Sequence, residues 1–488
     1  MRRALLATFS LTIFSLSSLS LTASAIAQVN TFTPKQLQED LQIAKQALEE
    51  GHGGIYRYTS KAMVDQHFSD AQRALDNSTD ALGFYRLLKP VVASIACGHT
   101  TALLPRTIKD ALNKTSLFPM DVKLIKGRVF VFRDFAEGGK LAGREILSIN
   151  GIPTQQIVNT MTVAMHGDGK IPSMRAIEVG RAFKEQLYTL LDMREQFKVT
   201  LRDAKSGRTE QRDIAGQEFS SLKQASLMLY PQDQDSIRYL SYAFLDDGKI
   251  AHVKIDNFND AEADEDGASM LQTVFEAIRD KGSKTLILDL RDNGGGEDAL
   301  GKLLFSYLVD KPFSYYDQLT VKTDHYAMSQ YAERPIQLKA KWLSARPDGQ
   351  FNFLKHPNLG LQQPSLPTFQ GRVFILINGG SFSTTAEFLT QAHTHKRATF
   401  IGEESGGGYF GSTSGNNMIL TLPNTKVRLV VPLMTYQLST LGPHANDRGV
   451  MPDYPVQRTI EDYLKGRDPE WELALKLARL SNAKAVKK

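Results

Sequence analysis

Three short apolar runs, at 250–255, 285–290 and 372–378, alternate with stretches of helical spacing at 268–280, 297–309 and 384–395. This alternation limits the fold more than any other feature of the chain. A strand buried on both faces reads as a nearly unbroken apolar run, and a parallel pair needs a long crossover, usually a helix. The second half is therefore expected to form βαβ units, an α/β core with helices covering a mixed sheet. A further strand is expected at 427–431 and a closing helix from 461 onward.

The first half reads differently. Leu37, Leu41, Ala44, Ala47 and Leu48 recur at helical steps, and Thr33-Pro34 supplies an N-cap followed by proline at the first helical position. Further helical patterns cover 61–75 and 79–95, so 28–115 is expected to be an N-terminal helical domain. Short β-rich runs follow at 122–125 and 129–132, then Gly143 to Gly151, where an apolar strand ends in an Asn-Gly turn. Helical segments at 154–165 and 177–191 interrupt this pattern before strands at 197–202 and 210–214. The expected divisions are 1–27, 28–115, 116–216 and 217–488.

The chain has 488 residues, too many for one compact core. Its formal net charge of +5 is spread along the sequence, without the basic block that a nucleic-acid partner would call for. Arg2 and Arg3 precede an apolar run over 4–21, which ends in Ala23-Ser24-Ala25-Ile26-Ala27. That is the pattern of a secretory signal peptide, with Gln28 the mature start if cleavage follows Ala27; cleavage after Ala25 is the alternative. Export to a periplasm or the medium is expected, and no later stretch is long and apolar enough for stable membrane insertion. A single cysteine, Cys97, allows no internal disulfide. No His-Glu-x-x-His or paired Cys/His spacing is present, so neither a metal nor another cofactor is expected.

Two strand ends carry the chemistry. Leu288-Asp289-Leu290-Arg291-Asp292-Asn293 runs into Gly294-Gly295-Gly296 and then a helix. Bare amides at such a turn suit an oxyanion hole. A phosphate loop is disfavoured because no Lys-Ser/Thr follows the glycines. The glycines also suit a turn that needs them for sterics alone. The second strand end is Asn378-Gly379-Gly380-Ser381-Phe382-Ser383-Thr384-Thr385-Ala386-Glu387. Thr384 and Glu387 have capping-box spacing, which would put Ser383 at the mouth of a helix N-terminus, where negative charge is stabilised. Ser381 and Ser383 also read as ordinary turn and cap residues. A nucleophilic serine needs a base, and His99, in Gly98-His99-Thr100 at the end of the helical region, is the leading candidate. His393, His395 and His444 are the others.

Taken together, these residues resemble the C-terminal-processing peptidase and tricorn core family of serine peptidases. The resemblance rests on Gly98-His99-Thr100, Gly143–Gly151, Asp289-Leu290-Arg291 with Asn293 to Gly296, Ser383 with Gly402-Glu403 and Gly406 to Gly408, and Gly449-Val450-Met451-Pro452-Asp453, in family order. It implies an α/β peptidase core, with 116–216 as a PDZ-like β-domain carrying a helical insertion. It also implies hydrolysis of a peptide or protein substrate through an acyl-enzyme. Ser383 would be the nucleophile, with Ser381 or Thr384 as alternative alignments. An amide of Gly295 or Gly294 would join that of Thr384 as oxyanion hole. One branch of the family uses a lysine after the Gly-Glu element. Here Glu404-Ser405-Gly406-Gly407-Gly408-Tyr409 holds none, so the resemblance points to the histidine-using branch, with His99 as base and Asp447 as the acid that orients it. The rival expectations are a peptide- or hydrophobic-ligand-binding protein on the same fold, or an esterase-like hydrolase with the same Ser and His.

Overall fold

The computed structural model describes residues 31–75, 77, 79–230, 239–259 and 266–485. The signal peptide expected over 1–27 lies outside the described residues.

Thr33 opens the first helix, Pro34–Gly51, with a reciprocal cap: its hydroxyl accepts from Gln36 N–H at 3.4 Å, and Gln36 Oε1 accepts from Thr33 N–H at 3.0 Å. Helices Lys61–Arg73 and Ala81–Ala93 follow, with the short helix Arg106–Ala111 after them. Their apolar faces, including Leu41, Leu48, Phe68 and Leu88, pack on Leu420, Leu429, Val431 and Leu433 from far along the chain. Strand Thr101–Leu103 pairs antiparallel with Arg428–Val431, which pairs with Met418–Thr421. The core of the helical region is thus completed by residues beyond 400, because three amphipathic helices need an apolar surface to cover their common face. Asp40 secures this junction. Fully buried, its carboxylate accepts from the amides of Asn424 and Thr425 at 3.0 and 2.8 Å and from the Thr425 hydroxyl at 2.6 Å.

A six-stranded antiparallel sheet follows, with five long strands, Met120–Ile125, Arg128–Asp134, Glu145–Ile149, Gln196–Arg202 and Thr209–Ala215, in that order and the short Ile152–Pro153 paired to the third. Between its third and fourth long strands the chain forms helices Thr154–Val163, Pro172–Arg181 and Phe183–Thr189. The single helix expected over 177–191 is two. The first starts earlier, with Pro172 at the proline-tolerant opening position, and the break falls at Ala182.

The second half holds a six-stranded sheet. Leu240–Leu245 pairs antiparallel with Ile250–Ile255, and Thr285–Asp289, Arg372–Ile377, Thr399–Gly402 and Tyr454–Pro455 follow in parallel. Every residue of Thr285–Asp289 is buried, as two covered faces demand. Helices Gly267–Lys281, Asp298–Ser306 and Thr384–Thr394 cover one face, with Leu271, Leu304 and Phe388 in one cluster with Val253, Leu288 and Ile375. Helix Pro469–Ala485 covers the other through Ala474 and Ala478. The closing helix expected from 461 is two, Ile460–Lys465 and Pro469–Ala485, the first ended by Gly466 at φ 65°. A second sheet of five strands, ordered Leu343–Ala345, Phe351–Phe353, Tyr316–Val321, Met434–Leu438 and Thr413–Ser414, has no counterpart among the expected elements. The whole is a mixed α/β fold. Among the described residues no helix is long and apolar enough to cross a membrane.

Candidate active site

Strands Thr285–Asp289 and Arg372–Ile377 lie side by side and parallel, with Asp289 opposite Leu376, so the loops after them leave the sheet together. At the carboxyl ends of parallel strands such paired loops form a crevice. Asn293 locks the two loops to each other. Fully buried, it donates through Nδ2 to Ile255 O at 2.9 Å, while its Oδ1 accepts from Gly295 N–H at 2.9 Å and from the Thr385 hydroxyl at 2.7 Å. Phe382 N–H donates to Asn293 O at 3.0 Å, and the Thr384 hydroxyl donates to Gly296 O at 2.7 Å. Behind this, Arg291 sits between Asp289 and Asp468, with bonds of 2.6 and 2.8 Å, and ties the turn to the start of the last helix.

Ser383 is the N-cap of helix Thr384–Thr394, at φ 56° and ψ −128°. The capping box expected from Thr384 and Glu387 is absent, because the helix begins one residue earlier than that spacing implies. The Glu387 carboxyl is instead buried against the Tyr316 hydroxyl at 2.6 Å, and burial pushes its pKa up to about 8. A non-glycine residue at this φ is strained. The strain turns the Ser383 side chain out at the sharp strand-to-helix corner, which is the logic of a nucleophile elbow.

The Ser383 hydroxyl lies 3.1 Å from His99 Nε2, across 284 positions of sequence. The imidazole stacks on Phe382, centroids 4.6 Å apart. Gly98 makes that approach possible, since a Cβ there would lie 2.6 Å from the Phe382 ring. Burial lowers the His99 pKa, and the charge of Asp168 raises it in opposition. His99 Nδ1 is buried without a hydrogen-bond partner.

The other expected residues separate clearly. Ser381 is fully buried, and its hydroxyl donates to Leu290 O at 2.7 Å, so it serves the turn. His393 pairs with the Tyr409 hydroxyl at 2.8 Å, His395 with Gln391 O at 3.0 Å and His444 with Ala445 O at 3.2 Å. The expectation for Asp447 needs correction. Its carboxylate is bound to Lys170 Nζ at 2.8 Å and makes no hydrogen bond to His99. The expectation for Gly295 also changes, since its N–H is taken by Asn293. The amides of Gly294 and Thr384 make no hydrogen bond among the described residues, so both are free to donate to a ligand. Sequence reasoning missed Asn293 as the lock and missed Asp168 altogether; the Gly167-Asp168-Gly169 run carried only a turn signal.

A hydroxyl at a strained helix mouth, an imidazole within hydrogen-bond reach and two unpaired amides can perform acyl transfer. Residues 249–456 match the family model of peptidase family S41. Mature CPAF is 14% identical with a TM-score of 0.58, the match covering 92% of this chain and 97% of that one. CPAF complexed with lactacystin is also 14% identical, with a TM-score of 0.61 over 92% of this chain and 98% of that one. At such identity the likeness shows a shared fold. Among curated proteins none matches the chain in sequence. The protein is a serine-type peptidase, a hydrolase whose class of substrate is peptides or proteins. Its segment 249–456 is the part that matches peptidase family S41.

Proposed function

We propose that the chain is an exported peptidase that cleaves peptide bonds through an acyl-enzyme on Ser383, with His99 as general base. The observation that carries this reading is the 3.1 Å contact between the Ser383 hydroxyl and His99 Nε2. The Ser383 oxygen attacks the scissile carbonyl as His99 Nε2 takes the hydroxyl proton. The carbonyl oxygen, now negative, is met by the amides of Gly294 and Thr384. His99 then gives the proton to the leaving amine, and a water molecule repeats the sequence to release the acyl group. Burial helps keep His99 neutral and able to accept a proton at neutral pH.

Residues 116–216 are read as a PDZ-like unit that presents substrate to a core at 217–488. The antiparallel sheet and its inserted helices support this reading. A cleft of about 1170 Å³ opens between that sheet and the ends of the parallel strands, lined by Lys123, Arg181, Asp292, Asn378, Arg458 and Tyr463. Asp292 and Asn378 belong to the loops that carry Gly294 and Ser383, although neither Ser383 nor His99 lines the cleft, and its volume has room for an extended chain that leads toward those loops. Export rests on the leader over 1–27.

The test uses protein released from cells expressing the full sequence, whose N-terminus should be Gln28. This preparation should hydrolyse members of a peptide library and react with a fluorophosphonate. Ser383→Ala should lose both properties and His99→Ala should lose several orders of magnitude in kcat, with folding unchanged. Full activity in a folded Ser383→Ala chain would refute the assignment.

A further inference from the structure

We propose that Asp168 is the acid of this catalytic centre, a positioning residue that holds the His99 loop against the nucleophile's loop and sets the charge around the imidazole. The proposal rests on the Ser383–His99 reading and adds to it. Asp168 lies between helices Thr154–Val163 and Pro172–Arg181, in a unit that contributes no other residue to the reaction. Yet it is 2% exposed, because its segment is threaded into the core. Gly169 N–H donates to Ala96 O at 2.9 Å and Lys170 N–H to Asp447 O at 2.9 Å. A Cβ at Gly169 would lie 2.5 Å from Asp447 O, so the segment has no slack on that side.

The carboxylate spans two loops that both touch the nucleophile. Oδ1 accepts from Gly98 N–H at 2.7 Å, the amide that precedes His99. Oδ2 accepts from Gly408 N–H at 3.0 Å. The loop of Gly408 lies against Ser383, since a Cβ on Gly407 would stand 3.5 Å from the Ser383 amide nitrogen. One buried carboxylate thus fixes the spacing between the base and the loop behind the hydroxyl, through charge-assisted bonds on each side.

It also supplies charge. The titratable and charged groups that act on His99 or on Asp168 are His52, Tyr58, Cys97, His166 and Arg175. Burial lowers His52 to about 3 and His166 to about 4, and both are neutral near pH 7. Burial raises Tyr58 and Cys97, so phenol and thiol stay neutral as well. Arg175 spends its guanidinium on the carbonyls of Gly167, Gly169 and Ile171. Asp168 is the one anion of the group. As His99 takes the serine proton it becomes a cation, and its Nδ1–H has no acceptor. A nearby buried negative charge stabilises that cation, and Asp447, bound to Lys170 at 2.8 Å, does not supply it.

The test compares Asp168→Asn with the parent and with His99→Ala in the mature chain, using a cleaved library peptide. Asparagine keeps the shape but removes the charge and one of the two acceptors. Active sites are counted with a fluorophosphonate, and folding is checked by thermal melting. Per active site, kcat should fall about tenfold to a hundredfold, less than the loss on altering a directly bonded triad acid, while KM changes little. Loss of the anion lowers the His99 pKa, so the acid limb of kcat/KM should move to lower pH. A folded Asp168→Asn with the parent's kcat per site and an unmoved acid limb overturns the proposal, as does a variant with fewer active sites that are individually unchanged. Asp168→Ser with added formate is the second variant. Recovery of kcat by formate supports the proposal, while no recovery in a folded chain, or failure of both variants to fold, overturns it. His99→Ala retaining activity would instead remove the underlying Ser383–His99 reading.

Discussion

Replacing Gly295 by alanine tests the geometry of the nucleophile loop more directly than replacing the nucleophile. Gly295 has φ +99°, and an added Cβ would lie 2.7 Å from Ser383 Cβ and 2.9 Å from both Phe382 O and Thr384 N. Holding an L-residue in that backbone region costs about 1–3 kcal/mol. Carbon atoms rest at about 3.5–4.0 Å, so Ser383 or Gly295 must move by about 1 Å. A misplacement of about 1 Å at a reacting atom costs about a hundredfold in rate. Gly295→Ala should therefore lose about a hundredfold or more in kcat, with an unfolding free energy lower by about 1–3 kcal/mol. Gly294 is the internal comparison, since a Cβ there meets nothing within 4 Å and alanine keeps the N–H. Gly294→Ala should change stability by less than about 0.5 kcal/mol and lose far less rate. Peptide hydrolysis by purified variants, normalised to fluorophosphonate-labelled sites, with urea unfolding alongside, reads both quantities. Equal kcat in the two alanine variants would refute the steric argument.

Two predictions concern stability. Asp40→Ala leaves two amides and one hydroxyl of the 424–425 turn without their acceptor, so urea unfolding should show a loss of about 3 kcal/mol at roughly 1 kcal/mol for each. His52 is buried, its Nδ1 accepting from Gly54 N–H at 3.1 Å and its Nε2 donating to the Thr100 hydroxyl at 2.7 Å, and burial lowers its pKa to about 3. Between pH 6.5 and about 3 the unfolded chain binds a proton that the folded chain refuses, so stability falls with pH by about 1.4 kcal/mol per pH unit for this group. His52→Asn should flatten the slope of unfolding free energy between pH 6 and 4 by about that amount, and an unchanged slope would count against a neutral buried His52.

Much of the core was legible because its signals are local. The buried run at 285–290 and the run at 372–378 correspond to strands Thr285–Asp289 and Arg372–Ile377, and the glycine turn and the helix after Ser383 follow them. Capping was less legible. Thr384 and Glu387 have the spacing of a box, but burial turned Glu387 toward Tyr316 and left Ser383 as the cap. The strands of 313–362 went unseen because they are two to six residues long and only the assembled sheet makes them apolar on one side.

By itself the amino-acid sequence determined the alternation of strand and helix, the glycine-rich corners and the single-cysteine chemistry, since each depends on residues within a turn or two of one another. Where the side chains of Ser381, Ser383, Asp447 and Asp168 find their partners belonged to the tertiary structure. Those pairings are made across the fold. Ser381 spends its hydroxyl on Leu290, Asp447 its charge on Lys170, and Asp168 reaches Gly98 over 70 positions. Hydrogen bonds act over about 3 Å of space whatever the separation along the chain, and a linear pattern holds no record of that distance.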